Sequence, residues 1–390
     1  MVHPPRVALL IETSRGYGRA LLRGIVRYAR LHGPWEFYIT PGDFEQKLPD
    51  MTRWGGTGII ARIENARVAK AIIATGLPVV ALDISQNIPI DVLAQAQFSE
   101  VASDSRGAAR LAAEHLISRG VEQFAYVGDA GRAWSQNREL GYVEFLCQRG
   151  LEPIVYRPPL RQRDRSWASE LPILAEWLAK LPKPIGIMAS NDDRGRQVLE
   201  ACSAAHVHVP RDALVIGVDN DELLCELAPP PLSSVALNAE NGGYRTAALL
   251  DEMMKGDVAS PQRLVVEPLH VVERRSTESR FAMHDPDVAA ALDFIQKHAG
   301  EPIGVEDVVS RLDISRRMFE IRFRQIVGRT PHQELRRLRL ARAQRLLIET
   351  NLPLSKIALA AGFCSAAHMS QTFRKALETT PAQYRRSHQT

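Results

Sequence analysis

Acidic and amide side chains stand directly after several short apolar runs in the first part of the chain. The group comprises Glu12, Asp83, Asp129, Asn191, Asp192, Asp219 and Asn220. Because the carboxyl ends of parallel strands line the ligand crevice of an α/β sheet, we expect these side chains to converge on one region. Ionised carboxylates accept hydrogen bonds strongly from the hydroxyl groups of neutral polyols. For any single acid the alternative is a helix N-cap, which is the interpretation we prefer for Asp193.

The C-terminal part of the chain contains an internal repeat at a fixed offset of 50 residues. Upstream of Ser315 and Ser365 the match continues with a one-residue slip, and each copy predicts a short helix, a tight turn at Asp313 or Gly362, and a longer helix. Ser315 or Ser365 stands at the N-cap of that longer helix, and the whole is the pattern of a helix-turn-helix unit. The repeated residues are Ser315, Phe323, Arg324, Thr330, Pro331, Gln333 and Arg336, which recur as Ser365, Phe373, Arg374, Thr380, Pro381, Gln383 and Arg386.

The longer helix of each copy has an apolar face, which we expect to pack inward, and an outward face that would meet the major groove of double-stranded DNA. The predicted inward residues are Phe319, Phe323 and Ile326 in the first copy, and Met369, Phe373 and Ala376 in the second. The predicted outward residues are Arg316, Arg317, Glu320 and Arg324 in the first copy, and Ala366, Ala367, Ser370, Gln371 and Arg374 in the second. Arginine suits guanine and glutamine suits adenine, whereas small side chains admit a thymine methyl. The alternative is a helical bundle with a solvated basic face.

The elements that must position these residues change along the chain. In the N-terminal part, β-branched runs alternate with helical patterns, which predicts an α/β domain with parallel sheet. The predicted strands include residues 7–11, 58–61, 79–82, 124–127, 185–189 and 214–218. After the polar segment 273–287 the pattern is helical, with a long helix over 331–349 that lacks one continuous apolar stripe. We therefore predict a ligand-binding domain at 1–277, a linker at 278–287 and an all-α DNA-binding domain at 288–390.

Composition and charge favour a globular protein with one basic part. Hydrophobic residues make up 45% of the chain and charged residues 24%, and no run approaches the length of a membrane span. Residues 283–390 carry 17 Lys and Arg against 11 Asp and Glu, so the basic excess is C-terminal, as expected for a module that meets phosphate. With no apparent signal peptide, we predict a cytoplasmic protein without a membrane partner.

The four cysteines and the absence of enzyme motifs narrow the possible chemistry. Cys147, Cys202, Cys225 and Cys364 show no C-x-x-C spacing, which favours reduced, buried thiols over a disulfide framework or a zinc site. No P-loop, G-x-S-x-G or H-E-x-x-H motif is present, and the segment 16–24 has only G-x-G, so nucleotide binding is disfavoured. We predict no catalytic residues, no metal and no cofactor. A sugar-modifying enzyme that uses paired carboxylates remains the alternative from another functional class.

The repeat region resembles the AraC-type DNA-binding domain, in which a long helix joins two helix-turn-helix units. The second unit carries most of the family pattern as IALAAGFCSAAHMSQTFRKALETTPAQYRR, residues 357–386. The family usually has glycine two residues before the Thr/Ser-Pro pair. Here Glu378 and Thr379 precede Thr380, although the first copy keeps its glycine, Gly328. We regard this as a minor departure.

The segment 6–273 is similar to the effector domains of LacI/GalR repressors and to periplasmic sugar-binding proteins. The likeness rests on stretches such as AARLAAEHLISRGVEQFAYVGD, RELGYVEFLCQRGLEP and GIMASNDDRGRQVLEA. It implies two lobes of parallel sheet with a hinged cleft, and matches to Arg138, Asp192 and Asp219 in that cleft. Trp134 would stack on the sugar, although a buried core tryptophan is an equal alternative. Glu12, Tyr17 and Arg19 would close the other side.

The order of the two parts, sugar domain first and AraC-type domain second, resembles that of a family of pentose-operon regulators. This resemblance implies that the effector is a monosaccharide, with D-xylose as the first candidate among the pentoses. It also implies transcriptional activation through RNA polymerase. Because one chain reads only a short site, we also expect a homodimer. The implied effector-binding residues are Glu12, Tyr17, Trp134, Arg138, Asp192 and Asp219. A regulator of the same architecture with a different sugar remains an alternative, and a transport binding protein is disfavoured by the repeat.

Overall fold

The computed structural model describes residues 4–39, 48–84, 88–94, 96–159, 166–258, 260–278, 285–377 and 379–389. The chain divides into two compact units, one formed by residues 1–117 with 121–277 and the other by 118–120 with 278–390. Of the predicted linker, residues 279–284 lie outside the described part, as does Glu378. The functional domain boundaries therefore stay a prediction.

The first unit is built on two six-stranded sheets. The first sheet has the order β11-β5-β4-β3-β1-β2 and its strands pair in parallel. Its strands are β1 (Arg6–Leu10), β2 (Glu36–Ile39), β3 (Gly58–Arg62), β4 (Val79–Leu82), β5 (Ser99–Ser103) and β11 (Arg263–Val266). The second sheet has the order β12-β10-β9-β8-β6-β7, with β12 antiparallel to β10. Its strands are β6 (Gln123–Val127), β7 (Ile154–Val155), β8 (Ile185–Ala189), β9 (Ala213–Asp219), β10 (Ser233–Leu237) and β12 (Pro268–Val272).

Helices pack on these sheets, and the chain passes between the sheets three times: after β5, after β10, and between β11 and β12. Each sheet with its helices is one lobe, and the three crossings connect the two lobes. The helices are α1 (Gly16–His32), α2 (Met51–Trp54), α3 (Ala66–Ile73), α4 (Ile90–Ala94), α5 (Ser105–Ser118), α6 (Ala133–Cys147), α7 (Trp167–Lys180), α8 (Asp192–Ala204), α9 (Glu222–Leu227) and α10 (Ala239–Lys255).

Helix α10 returns to the first lobe and packs tightly on α1. A Cβ atom at Gly243 would lie 2.0 Å from the carbonyl oxygen of Leu21, so only glycine allows the two backbones to approach so closely. Leu21 and Ile25 of α1 are fully buried in the core. This packing fixes α1, whose first turn carries Tyr17 toward the carboxyl end of the first sheet.

The second unit is helical and has two hydrophobic cores. Its helices are α11 (Pro286–His298), α12 (Val305–Val309), α13 (Arg316–Val327), α14 (Pro331–Glu349), α15 (Leu354–Ala360), α16 (Ala366–Leu377) and α17 (Pro381–Gln389). Leu335, near the start of α14, packs in the core with Phe319 and Phe323, whereas Ala343 and Leu347 pack in the core with Phe373. The two ends of α14 thus bury different faces, which explains why its sequence shows no single apolar stripe.

The predicted fold class is confirmed: two α/β lobes with parallel sheets precede an all-helical region. All six strands predicted from apolar runs lie within one residue of the observed ends, and α14 has the predicted bounds. Three local predictions are wrong. Asn191 caps α8 in place of Asp193, because its Oδ1 accepts from the Arg194 amide at 2.9 Å. Ala376 is exposed, since Leu377 packs instead. Cys147 and Cys364 are exposed thiols, whereas Cys202 and Cys225 are buried.

The helices in the described ranges are each too short or too polar to span a bilayer. The same part of the chain holds no group of three or more His, Cys, Asp or Glu side chains suited to bind a metal ion.

Candidate functional site

A cleft lies at the carboxyl ends of the strands in the first unit, with about 400 Å³ of empty space that includes its opening to solvent. Its lining combines four carboxylates, three arginines, two aromatic side chains, a serine and an amide. They are Glu12, Glu64, Asp83, Asp219, Arg15, Arg62, Arg138, Tyr17, Trp134, Ser103 and Asn191. The predicted convergence of polar residues that follow strands is therefore observed for Glu12, Asp83, Asn191 and Asp219.

The first lobe contributes a carboxylate–arginine–carboxylate cluster to the cleft. Arg62, only 7% exposed, donates from Nε to Glu12 and from a terminal nitrogen to Asp83, both at 2.9 Å. Burial alone would lower the pKa of Arg62, but the two carboxylates outweigh that effect and raise it. Arg62 also lies over the Tyr17 ring, 5.9 Å from its centroid. The cation is thus fully compensated inside the cleft.

The second lobe contributes a matching pair, Arg138 and Asp219. Arg138 is 3% exposed, and its guanidinium donates to Asp219 Oδ1 at 3.2 Å and to the carbonyl of Ser190. Its Nε is buried and finds no hydrogen-bond partner among the described residues. The same guanidinium lies 5.1 Å from the centroid of Trp134, which is half-buried and lines the cleft. Trp134 is therefore not the buried core residue that was the alternative prediction.

The backbone that carries Asp219 has an unusual conformation. Asp219 has a φ of 103° and Asn220 a φ of 49°, values that residues other than glycine seldom adopt. Such strain persists only where the surroundings hold it, and it is concentrated at ligand sites. Burial raises the pKa of Asp219 to about 6, although Arg138 acts to lower it. Within the described part of the chain, Arg138 is the one side chain that donates to this carboxylate, which retains acceptor capacity toward the cleft.

Asp192, which the family resemblance placed in the cleft, does not line it. The residue is 2% exposed, and its two oxygens accept from Ser234 Oγ at 2.5 Å and from the Asp221 amide at 2.7 Å. Its neighbour Asn191 faces the cleft instead, because the N-cap side chain stands at the strand end whereas the first helical residue turns toward β9 and β10. Asp192 thus supports the turn that presents Asp219.

Several ion pairs join the two lobes beside the cleft. Arg19, predicted to close the far side, holds Asp221 with two hydrogen bonds of 2.9 and 2.8 Å. Arg15 pairs with Asp193 at 3.2 Å. Arg132 of the second lobe pairs with Glu64 of the first. Sequence reasoning had not identified Arg15, Arg62 and Glu64 as lining residues. The charged ends of buried strands, such as Arg62 at the end of β3, were the available signal.

The last residues of the first unit are bonded directly behind the Asp219–Asn220 turn. Arg274 donates to Asn220 Oδ1 and to the Leu232 carbonyl, both at 3.0 Å. Two residues later, Ser276 Oγ donates to the carbonyl of Val215 in β9 at 2.6 Å. Hydrogen bonds thus connect this turn and strand β9 to the segment that ends the first unit.

In the first helix-turn-helix unit, the outward face of α13 differs in detail from the predicted set. Arg317 and Arg324 are exposed, and no ion pair to either is found among the described residues. Arg316 lies at the edge of the face, where it pairs with Glu320 at 2.9 Å and with Glu306. The middle of the face is occupied by an exposed isoleucine, Ile321.

In the second unit, the outward face of α16 is small and neutral near its start. Ala367, Gln371 and Arg374 are exposed, whereas Ala366 and Ser370 are half-buried. The N-cap is Ser365, whose Oγ accepts from the His368 amide at 3.1 Å, as predicted from the repeat. The two units thus present different chemistry from the same scaffold.

Three family models match this chain. Residues 6–101 match the XylR N-terminal domain, residues 113–277 a periplasmic binding protein-like domain, and residues 308–387 a helix-turn-helix domain. Both resemblances drawn from the sequence are thereby confirmed.

Relatives extend the match over nearly the whole chain. The xylose operon regulatory protein of Escherichia coli K12 is 32% identical over 97% of this chain and 96% of its own length. That of Haemophilus influenzae is 29% identical over 97% and 98%. The solved structure of the xylose-binding transcription activator xylR covers 99% of both chains at 32% identity, with a TM-score of 0.61. A CelR–cellobiose complex at 24% identity and a TM-score of 0.56 shows a shared fold over 70% of this chain.

Proposed function

This chain belongs to the family of the xylose operon regulatory protein, and we propose that its cleft binds a neutral monosaccharide, with D-xylose as the first candidate. Binding of the sugar changes how the two helix-turn-helix units bind operator DNA. In this proposal the first unit is the effector domain, 1–277, a linker spans 278–287, and residues 288–390 bind DNA. The protein acts in the cytoplasm as an activator and is not an enzyme.

The observation that carries the effector proposal is the pairing of every arginine in the cleft. Arg62 is held by Glu12 and Asp83, Arg138 by Asp219, and Arg15 by Asp193. Among the described residues that line the cleft, no cation is left uncompensated for a phosphate or carboxylate ligand, while carboxylate oxygens remain as acceptors. Such a site favours a neutral ligand that is rich in hydroxyl groups.

Individual roles follow from the same contacts. Asp219 accepts from a sugar hydroxyl, because its carboxylate has one donor among the described residues and its pKa is raised. The unpaired Nε of Arg138 donates to a sugar oxygen, and Trp134 covers a C–H face of the ring. Glu12 and Tyr17 line the cleft from the first lobe. Asp192 acts indirectly by holding the turn.

For DNA, each chain presents two recognition helices to successive major grooves about 10 base pairs apart. The outward residues of α13 and α16 make the contacts, with the exposed Arg317, Arg324, Gln371 and Arg374 foremost. Two chains form a homodimer on a pair of such sites, and the bound dimer contacts RNA polymerase.

The experiment is a thermal-shift series on the full chain with D-xylose, L-arabinose, D-ribose and a pentose 5-phosphate. A ligand at 100 times its dissociation constant adds about 2.7 kcal/mol to the free energy of unfolding. We expect this shift with D-xylose and none with the phosphate. Asp219→Ala should abolish the shift and leave operator affinity without sugar nearly unchanged, because the residue is remote in sequence from the helices that meet DNA.

Two outcomes would contradict the proposal. One is a wild-type sugar shift in the Asp219→Ala protein, and the other is a larger shift with the phosphate than with any neutral pentose. Chromatography of the sugar after prolonged incubation tests the enzyme alternative, and we expect the sugar to be recovered unchanged.

A further inference from the structure

An isoleucine occupies the centre of the outward face of α13. Ile321 is 45% exposed, and it lies on the side of the helix opposite Phe319 and Phe323, which are fully buried. Arg317, four residues before it, and Arg324, three residues after it, are its neighbours on the helix surface. Ile321 is therefore an apolar side chain that stands between two exposed cations and is accessible to a partner of this helix face.

The internal repeat gives this position a counterpart in the second unit. At the offset of 50 residues, Ile321 corresponds to Gln371, which is exposed at the same place on α16. Arg324 corresponds to Arg374, exposed likewise. The same scaffold thus presents isoleucine between two arginines in one unit and glutamine beside one arginine in the other.

Other side chains near the start of α13 are less available to a base. Arg316 is engaged by Glu320 and Glu306. Met318 is also exposed, at 46%, but lies about 60° around the helix from Ile321. Ile321 is therefore the apolar group that a major groove would meet between the contacts of Arg317 and Arg324.

We propose that Ile321 reads a thymine through its 5-methyl group. This inference rests on the proposed entry of α13 into the major groove. Thymine alone presents a methyl group on that edge, whereas cytosine presents an amino donor that isoleucine cannot satisfy. The flanking arginines supply the attraction to phosphate or guanine that brings the helix close. Ile321 makes the first unit specific for a thymine at one position, and Gln371 gives the second unit a different preference one turn away.

The test removes single methyl groups from DNA. The preferred site is first selected from random duplexes with the full chain, and each thymine in it is then replaced in turn by deoxyuridine. One substitution under the first unit should weaken wild-type binding about four-fold, the loss expected for one buried methyl group. Ile321→Ala should bind the thymine site more weakly than wild type and should show no further loss on that substitution.

Two further variants distinguish loss of the methyl contact from a general weakening of DNA binding. Ile321→Val keeps an apolar contact and should retain the sensitivity to deoxyuridine. Ile321→Gln should shift the preference at that position from thymine toward adenine, in line with the glutamine–adenine pairing. Matched controls are Met318→Ala and Gln371→Ala, both of which should retain the sensitivity to deoxyuridine under the first unit. Gln371→Ala should in addition relax a base preference one turn away, under the second unit.

The inference is overturned if the wild type tolerates deoxyuridine at every position under the first unit, or if Ile321→Ala keeps the full sensitivity. Failure of the full chain to select any preferred site, with and without sugar, would instead overturn the proposed function as a whole.

Discussion

The ligand cleft and the DNA-facing helices both depend on arginine, and they use it in opposite ways. In the cleft, Arg62 and Arg138 are buried and each is held by carboxylates. On α13, Arg317 and Arg324 are exposed, and the described residues offer them no ion pair. The difference matches the charge of what each region binds. A neutral sugar needs oriented donors and acceptors without net charge, whereas a polyanion is attracted by cations that are not already neutralised.

The two arrangements also differ in their cost to the free protein. A buried ion pair loses its hydration when the protein folds, so the site is already oriented when the ligand arrives. Exposed arginines keep their hydration and mobility until DNA binds, and the release of counterions then favours the complex. Folding therefore fixes the orientation of the cleft side chains, whereas the arginines of the helices become ordered only when DNA binds.

The largest expected effect comes from removing a buried cation. Arg62→Met leaves Glu12 and Asp83 facing each other without compensation, which should cost about 3 to 5 kcal/mol of folding free energy in the first unit. Arg324→Met should change stability by less than about 0.5 kcal/mol. Differential scanning calorimetry of the full chain measures both, and the transition that moves with sugar identifies the first unit. Equal shifts in the two variants would remove the distinction between the regions.

A second effect, about ten-fold, is the pH dependence of sugar affinity. Burial raises the pKa of Asp219 to about 6. Because the hydrogen-bond acceptor is the ionised carboxylate, affinity should be full above pH 7 and should fall as the pH decreases through 6. At pH 5 about a tenth of the carboxylate is ionised, so the dissociation constant should rise about ten-fold. Titration calorimetry from pH 8 to pH 5 measures it, and Asp219→Asn should bind weakly with little dependence on pH.

Much of the cleft follows from local sequence, but the pairing within it does not. Glu12, Asp83 and Asp219 could be placed because acids after buried strands converge at one edge of a parallel sheet. The ion pairs of Arg62 depend on β3 lying between β1 and β4, an order that no local pattern specifies. The orientation of Asp192 depends on the rotation of α8 against β9 and β10, which tertiary packing sets.

In the helical unit, too, local sequence predicts the ends of helices but not the contacts between them. The bounds of α14 follow from the Thr330 cap, the proline that begins the helix and its Gln333 capping box, all of them local signals. The ion pair between Arg316 and Glu306 joins two helices across a turn, so periodicity alone left Arg316 among the DNA-facing residues. The sequence analysis selected mainly polar residues as candidates for contacts with bases, so it did not include Ile321.

A third prediction links the two regions. Arg274 bonds Asn220 beside the ligand carboxylate and lies just before the end of the first unit. Arg274→Met should reduce the effect of sugar on operator affinity about five-fold, within the range of coupling changes that single substitutions produce. Sugar affinity itself should change little. Operator binding with and without saturating sugar measures the ratio, and Arg211→Met, at an exposed ion pair elsewhere in this unit, is the control that should leave the ratio intact.

The smallest effect distinguishes two arginines of α13 from one another. Arg324 is exposed and makes no ion pair with the described residues, so we expect it to contact a phosphate. Arg324→Ala should reduce the slope of log affinity against log salt by about 0.9, the value for one phosphate contact, and should weaken all sequences alike. Arg316 is already engaged by Glu320 and Glu306, and Arg316→Ala should therefore change the slope by less than about half as much. Fluorescence anisotropy with operator and random duplexes at several salt concentrations gives both slopes. If Arg316→Ala lowers the slope as much as Arg324→Ala does, its ion pairs break on DNA, and the contrast between paired and unpaired arginines does not extend to the edge of this helix.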